Sequence, residues 1–301
     1  MRFIVLAVLF GLLPAAQAVR PTLTLNSRAL QPGELVLVTV RTPLVPSVVT
    51  AQFEGRRFAA ARIDTHEWQV LVGIDLDVAP GAHTIHIDLG QGPEAQRLER
   101  TVQVAPHRFA TRRLTVAEGF VTPPVDVQGR IAAEAQELER LWTSSASDRL
   151  WSGPFVRPVP QSANSAFGTR SIFNGQPRSP HGGADFLSPS GTPVHAPGGG
   201  RVLLARELYY TGNTVVIDHG VGVVSLFAHL SQVDVRAGDE VTGGQIIGLV
   251  GATGRVTGPH LHWTLRVGTA RVDPLSLIAV LGTRPVAVTP DLPLPRAATD
   301  R

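Results

Sequence analysis

From residue 19 to residue 106 the chain is a series of short β-forming runs cut by turn residues, with no longer periodic segment. TLTLNS, ELVLVTVRT, SVVTAQFEG, RRFAAARID, EWQVLVGID, HTIHIDL and RTVQVA follow one another, separated by Gly33, Gly55, Pro80-Gly81 and Gly90. Apolar residues recurring with period two, punctuated this regularly, can bury only one face per strand. They predict an immunoglobulin-like β-sandwich over 19–106. Strands return over 154–282, in GRVLLARE, NTVVIDHG, GVVSLFAHL and GDEVTGGQIIGLVG, the last reading as two short strands around Gly243-Gly244. Residues 107–153 read as a linker. Its VTPPVDVQ is held extended by proline, and a helix is predicted over Arg130–Thr143, with Ile131, Ala135, Leu138 and Leu141/Trp142 as its apolar stripe. The proline-rich end, 283–301, has no period and is expected to be mobile. The fold class is therefore mainly β, with one linking helix.

Composition narrows the chemistry. No cysteine occurs among the 301 residues, so disulfides, thiol nucleophiles and sulfur-ligated metals are excluded, and any metal must be held by His, Asp or Glu. All 27 basic residues are arginine, and the net charge is only +3 with no basic block, which gives no footprint for nucleic acid. The start, MRFIVLAVLFGLLPAAQAVR, has a basic Arg2, an apolar run from Phe3 to Leu13 and the small-x-small pattern Ala16-Gln17-Ala18. It reads as an export signal over residues 1–18. The run falls short of the roughly 20 apolar residues a spanning helix needs, so no stable membrane span is expected after cleavage. Export places the protein in the periplasm, the cell wall or the extracellular space.

Near the C-terminal end stands GPHLHW, Gly258 to Trp263. Alternate strand residues share a face, so His260 and His262 point the same way while Leu261 points into the core. Alone, an HxH pair is as well explained by a solvated face. Upstream, PHGGADF carries His181 and Asp185, four apart in a glycine-containing segment that is extended rather than helical. Adding His262 gives two imidazoles and one carboxylate, the composition of a catalytic zinc site with a fourth position for water. SLFAHL places His229 in an otherwise apolar strand, a third polar intrusion in one small β region. His66, His83, His86, His107, His195 and His219 lack ligand spacing and read as structural or surface residues. Arg170, in FGTR, reads as a solvated or structural arginine, or as a partner for a substrate carboxylate.

SAFGTR, PHGGADF, TVVIDHG, FAHL, AGDEVTGGQIIGLVGATG and GPHLHW occur in the order seen in the M23 (lysostaphin/LytM-type) zinc metallopeptidases, and the chain resembles that family from about Ser162 to Leu275. The resemblance implies that His181, Asp185 and His262 bind one zinc ion per chain, and that His229 and His260 line the site without ligating. It implies an antiparallel β-sheet of half-barrel character and a peptide of bacterial peptidoglycan as substrate. On that reading a zinc-bound water is the nucleophile, and His229 or His260 takes its proton, spacing alone not deciding which.

Two other readings compete. A LytM-like domain can act as a non-catalytic regulator of another cell-wall hydrolase, but such a domain need not keep the five polar residues present here. AGDEVTGGQIIGLVG also resembles a biotinyl or lipoyl carrier hairpin, a function that requires a lysine this chain lacks. No G-x-S-x-G or H-E-x-x-H is present to support other hydrolytic chemistry. The sequence leaves open whether the N-terminal region binds glycan, docks an envelope protein partner or shields the site.

Overall fold

The computed structural model describes residues 20–43, 45–92, 95–115, 123–164 and 167–282. The expected leader (1–18) and proline-rich end (283–301) lie outside the described residues.

Strands β1 (Thr22–Ser27), β2 (Leu35–Arg41), β3 (Val49–Phe53), β4 (Arg56–Arg62), β5 (Glu67–Gly73), β6 (Gly81–Leu89) and β7 (Gln96–Val104) pair antiparallel in the order β1-β2-β5-β4-β3-β6-β7. β4 belongs to two leaves. Arg56 to Ala59 pair with β3, and Ala60 to Arg62 pair with β5. Val36, Val38, Val40, Val70 and Val72 on one leaf and Ala51, Phe53, Ile85, Ile87 and Val102 on the other are buried in one shared core. This is the sandwich the alternation predicts.

The linking stretch holds β8 (Thr111–Leu114) and α1 (Val125–Thr143). The helix starts five residues before the predicted Arg130, directly after Pro124, since proline is tolerated where the first-turn N–H groups lack intrahelical partners. Its predicted stripe is altered too. Trp142 is buried and Leu138 and Leu141 pack beside it, but Ala135 is exposed and the buried place is taken by Glu134. The carboxylate tolerates burial because it accepts the Tyr209 N–H at 2.8 Å and the Arg130 Nε–H at 2.6 Å.

The remaining strands are β9 (Arg170–Phe173), β10 (Gln176–Pro177), β11 (Gly183–Phe186), β12 (Pro193–His195), β13 (Gly200–Leu208), β14 (Gly212–Gly220), β15 (Val223–Val233), β16 (Glu240–Val241), β17 (Ile246–Val250), β18 (Leu261–Val267) and β19 (Ala270–Val272). Nine of them form an antiparallel sheet with the path β11-β18-β15-β14-β13-β16, joined by β17 on β15, β12 on β17 and β19 on β18. The two short strands expected around Gly243-Gly244 are β16 and β17, which pair with β13 and with β12 and β15 rather than with each other. β8 from the linker pairs parallel with β9 in a small separate sheet, β10-β9-β8. A last helix, α2 (Pro274–Leu281), is not anticipated above, although Asp273 caps it through the Leu275 N–H and Pro274 opens it.

One face of the large sheet, with Ile217, Phe227, Leu261, Trp263, Leu265 and Val267, joins the sandwich core. Polar contacts tie the two together. Arg271 grips Asp75 with its backbone N–H and guanidinium, Arg28 bridges Glu34 and Asp273, and the Leu35 N–H donates to Ser276 Oγ at 2.8 Å. The opposite face divides in two. Leu204, Leu208, Val216, Val224 and Leu226 are covered by Trp142 of α1, and beyond that cover the face is open.

Candidate metal centre and active site

On the open end, three adjacent strands converge. Asp185 of β11 stands opposite His262 of β18, and His262 stands opposite Ala228 of β15. Directly opposed residues project from one face, so the carboxylate and the imidazole emerge side by side. His181 lies in the turn before β11, where its N–H donates to Thr169 O at 3.0 Å and its carbonyl accepts the Gly168 N–H at 2.7 Å. Gly183 must lack a side chain, because a Cβ there would sit 2.4 Å from Trp263 O and 2.9 Å from the His262 ring. The PHGGADF glycine therefore makes room for a histidine.

His229 follows Ala228 and in a regular strand would point into the core. Two residues, Ala228 and His229, lie between the pairs Phe227–Val215 and Leu230–Asn213, where the partner strand has only Thr214. This bulge turns His229 out to the polar face. Its φ of +66° is a region side-chain-bearing residues rarely enter and costs on the order of 1–3 kcal/mol. Two hydrogen bonds hold it there: its N–H to Thr211 O at 2.8 Å and its ring Nδ1–H to Thr253 O at 3.0 Å. The loop bearing Thr211 is itself secured one turn earlier by buried Glu134 of α1 on the Tyr209 N–H.

His181 Nε2 lies 3.0 Å from His262 Nδ1 and 3.2 Å from Asp185 Oδ1, and His262 Nδ1 lies 2.9 Å from Asp185 Oδ1. A tetrahedral zinc with ligand bonds of about 2.0–2.2 Å sets its donors about 3.3 Å apart. The triangle is of that size, and its two nitrogens and one oxygen are a donor set suited to the ion. His262 Nε2 meets Thr264 Oγ1 at 2.8 Å, an outer bond that orients the ring with Nδ1 toward the centre. Burial opposes ionisation of Asp185, yet hydrogen bonds from His181 and His262 hold its carboxyl far below the ordinary carboxylate range. Burial pushes the His262 imidazole below its ordinary value against the pull of Asp185. Both shifts favour the forms that bind a cation: carboxylate and neutral imidazole.

His260 stands across the centre, with Nε2 3.8 Å from Asp185 Oδ1 and its ring 4.8 Å from that of His229. Its Nδ1 meets Gly258 O at 2.9 Å. A carbonyl oxygen can only accept, so Nδ1 carries a proton in both His260 and His229. Burial, first, and then the neighbouring imidazoles lower His229 to about 4 despite its bond to Thr253. The five residues line a cleft of about 520 Å³ whose walls include Arg112, Leu114, Phe173, Tyr210 and Arg255.

All five residues singled out from the sequence thus meet at one place. His195 and His219 do not join them; His219 is fully buried, its ring between Gly199 O and Ser225 Oγ. Arg170 is not a cleft residue, whereas Arg112, from the linker, is. Thr264, Thr253 and Glu134 escaped notice in the sequence. Only Thr264 left a signal, two residues after His262 and so on its face.

The family model for Peptidase family M23 matches residues 179–274. Over 88 residues, 29% of this chain and 20% of the relative, the sequence is 52% identical to peptidoglycan DD-endopeptidase ShyA of Vibrio cholerae. It is 44% identical over 97 residues to the DD-carboxypeptidase/endopeptidase Mpg of Neisseria meningitidis, covering 32% of this chain and 22% of Mpg. These matches span about a fifth of the curated relatives' length. A crystal structure from Pseudomonas aeruginosa, assigned to peptidase M23, aligns over 84% of this chain and 96% of its own with 30% identity and a TM-score of 0.65. The likeness to that structure reaches well beyond the matched site segment, and the chain belongs to peptidase family M23.

Proposed function

We propose that this protein is an exported zinc-dependent endopeptidase that hydrolyses cross-links or stem peptides of bacterial peptidoglycan. The carrying observation is the triangle of His181 Nε2, Asp185 Oδ1 and His262 Nδ1, with sides of 2.9–3.2 Å, beside two imidazoles held through Nδ1 by backbone carbonyls. The substrate class follows the relatives named for peptidoglycan endopeptidase activity, and export follows the leader-like residues 1–18.

His181, Asp185 and His262 would hold the ion. Bound there, zinc would supply Lewis acidity and lower the pKa of a water toward neutral. His229 and His260 face the centre from the other side, and one of them would accept the proton as a water adds to the scissile carbonyl. Protonated, the same ring donates to the developing oxyanion and then to the leaving amine. Backbone carbonyls pin both rings through Nδ1, so neither need reorient between these tasks. The open cleft admits an extended peptide, and Leu261, on the opposite face, anchors the strand in the core with no exposure.

Digestion of purified peptidoglycan, with products identified by mass, tests the assignment. His181→Ala loses stoichiometric zinc and activity together. His260→Ala keeps zinc and loses turnover. Products unchanged from wild type in either variant overturn the assigned roles.

A further inference from the structure

The linking strand β8 contributes to the cleft although it lies outside the segment matched by the family model. Arg112 pairs with Ser171 of β9 in parallel register, and β9 directly follows Thr169, which holds the His181 backbone. The linker therefore delivers a guanidinium to the cleft that His181 lines. Arg112 and Leu114, two apart, both line the cleft, while Arg113 between them points to the other face. Arg112 Nε–H donates to Ser171 Oγ at 2.9 Å, and Ser171 is itself buried. That bond fixes the plane of the guanidinium and leaves its outer N–H groups for a ligand. Among the described residues no carboxylate bonds to them. Among the described residues Asp185 is the one acid lining the cleft, and it is engaged by His181 and His262. Arg255 adds a second positive charge to the wall.

Among the described residues, a cleft wall with the Arg112 guanidinium beside a cation-binding triad and no acid other than Asp185 is matched to an anion. A planar guanidinium held at one edge suits a carboxylate, which accepts parallel hydrogen bonds from the outer edge. Leu114, Phe173 and exposed Leu187 offer apolar contact for the rest of a peptide.

We propose that Arg112 forms a carboxylate-binding subsite of the cleft, selecting peptides that carry a free carboxylate beside the scissile amide. The inference rests on the peptidase reading above and adds to it a substrate feature and the residue that reads it.

The test uses the full-length zinc-loaded enzyme and two purified cross-linked muropeptide dimers, identical except that the carboxylate beside the cross-link is free in one and amidated in the other. Wild type is expected to favour the free carboxylate by about 10- to 100-fold in kcat/KM. Arg112→Gln narrows that ratio to within about threefold, mainly through KM for the carboxylate dimer, and Arg112→Lys falls between because a point charge lacks the fork. Arg113→Gln, on the opposite face, retains the wild-type ratio. Thermal midpoints verify that each variant is folded. Equal cleavage of the two dimers by wild type, an undiminished ratio in Arg112→Gln, or an equal collapse in Arg113→Gln overturns the subsite while leaving the peptidase reading intact. Cleavage of neither dimer by wild type overturns both.

Discussion

Both halves of the molecule carry paired histidines on strands, and only one pair contributes to a candidate site. On β6, His83 and His86 are three residues apart and so face opposite sides of the sandwich. His83 bonds Glu54 and the Ala79 carbonyl, and His86 bonds Glu99, each with its own partners. His260 and His262 are two apart and share a face, which the neighbouring strands furnish with Asp185 and His229. The residue types are the same in both halves. The difference lies in spacing and in whether adjacent strands bring polar groups to the same patch. Convergence, more than the count of histidines, distinguishes a candidate metal centre from histidines scattered over a surface.

Removing histidines from each half should have opposite consequences. His262→Ala should lower turnover by about three orders of magnitude or more and remove bound metal, measured by peptidoglycan digestion and elemental analysis. The double variant His83→Ala/His86→Ala should change neither.

The junction between the halves comes next. Asp75 is 1% exposed and depends on Arg271, whose bonds hold its carboxyl down to about 2 although burial pushes the other way. Arg271→Ala leaves that charge buried without its main partner. It should cost roughly 3–5 kcal/mol in denaturant unfolding, whereas an exposed variant such as Arg41→Ala should cost under about 1.

A buried histidine of the catalytic half provides a pH test. Burial lowers His219 from 6.5 to about 4, so the unfolded chain takes up a proton at a pH where the folded chain does not. Its contribution to stability is complete above pH 6.5 and is lost as pH falls toward 4, by roughly 3 kcal/mol. Urea unfolding at pH 7 and pH 4.5, with chelator present to remove the contribution of bound metal, should show this slope in wild type and a flatter one in His219→Gln.

A smaller effect sharpens the account of the centre itself. Thr264→Val removes the outer bond to His262 Nε2 and should weaken metal binding by about 10- to 100-fold in chelator competition. Smallest of all, His86→Ala alone should shift stability by less than about 0.5 kcal/mol in the same unfolding assay.

Much of this was legible in the chain. Period-two alternation with glycine and proline punctuation marked the strands of both halves, because a strand's two faces are written directly in its odd and even residues. His260 and His262 could be placed on one face for the same reason, with Leu261 turned to the core. His229 was different. Alternation puts it with Phe227, and only the bulge opposite Thr214 turns it outward. A one-residue register change has no composition signal. Glu134 and Arg112 were hidden for a related reason. One looks like a solvated helix residue and the other like part of a linker, and their partners lie 75 and 59 residues away.

The sequence alone determined the residue types available for chemistry, the strand character of both halves and the local faces of the HxH and HxxxD segments, since these follow from spacing along one stretch of backbone. The tertiary structure decided that β11, β18 and β15 lie side by side in the register that sets Asp185, His262 and His229 around one point. It also decided that α1 covers one end of that face and leaves the other open, and that a linker strand supplies a wall of the cleft. Those outcomes depend on contacts between segments far apart in the chain, whose pairing is set by burial of the common core.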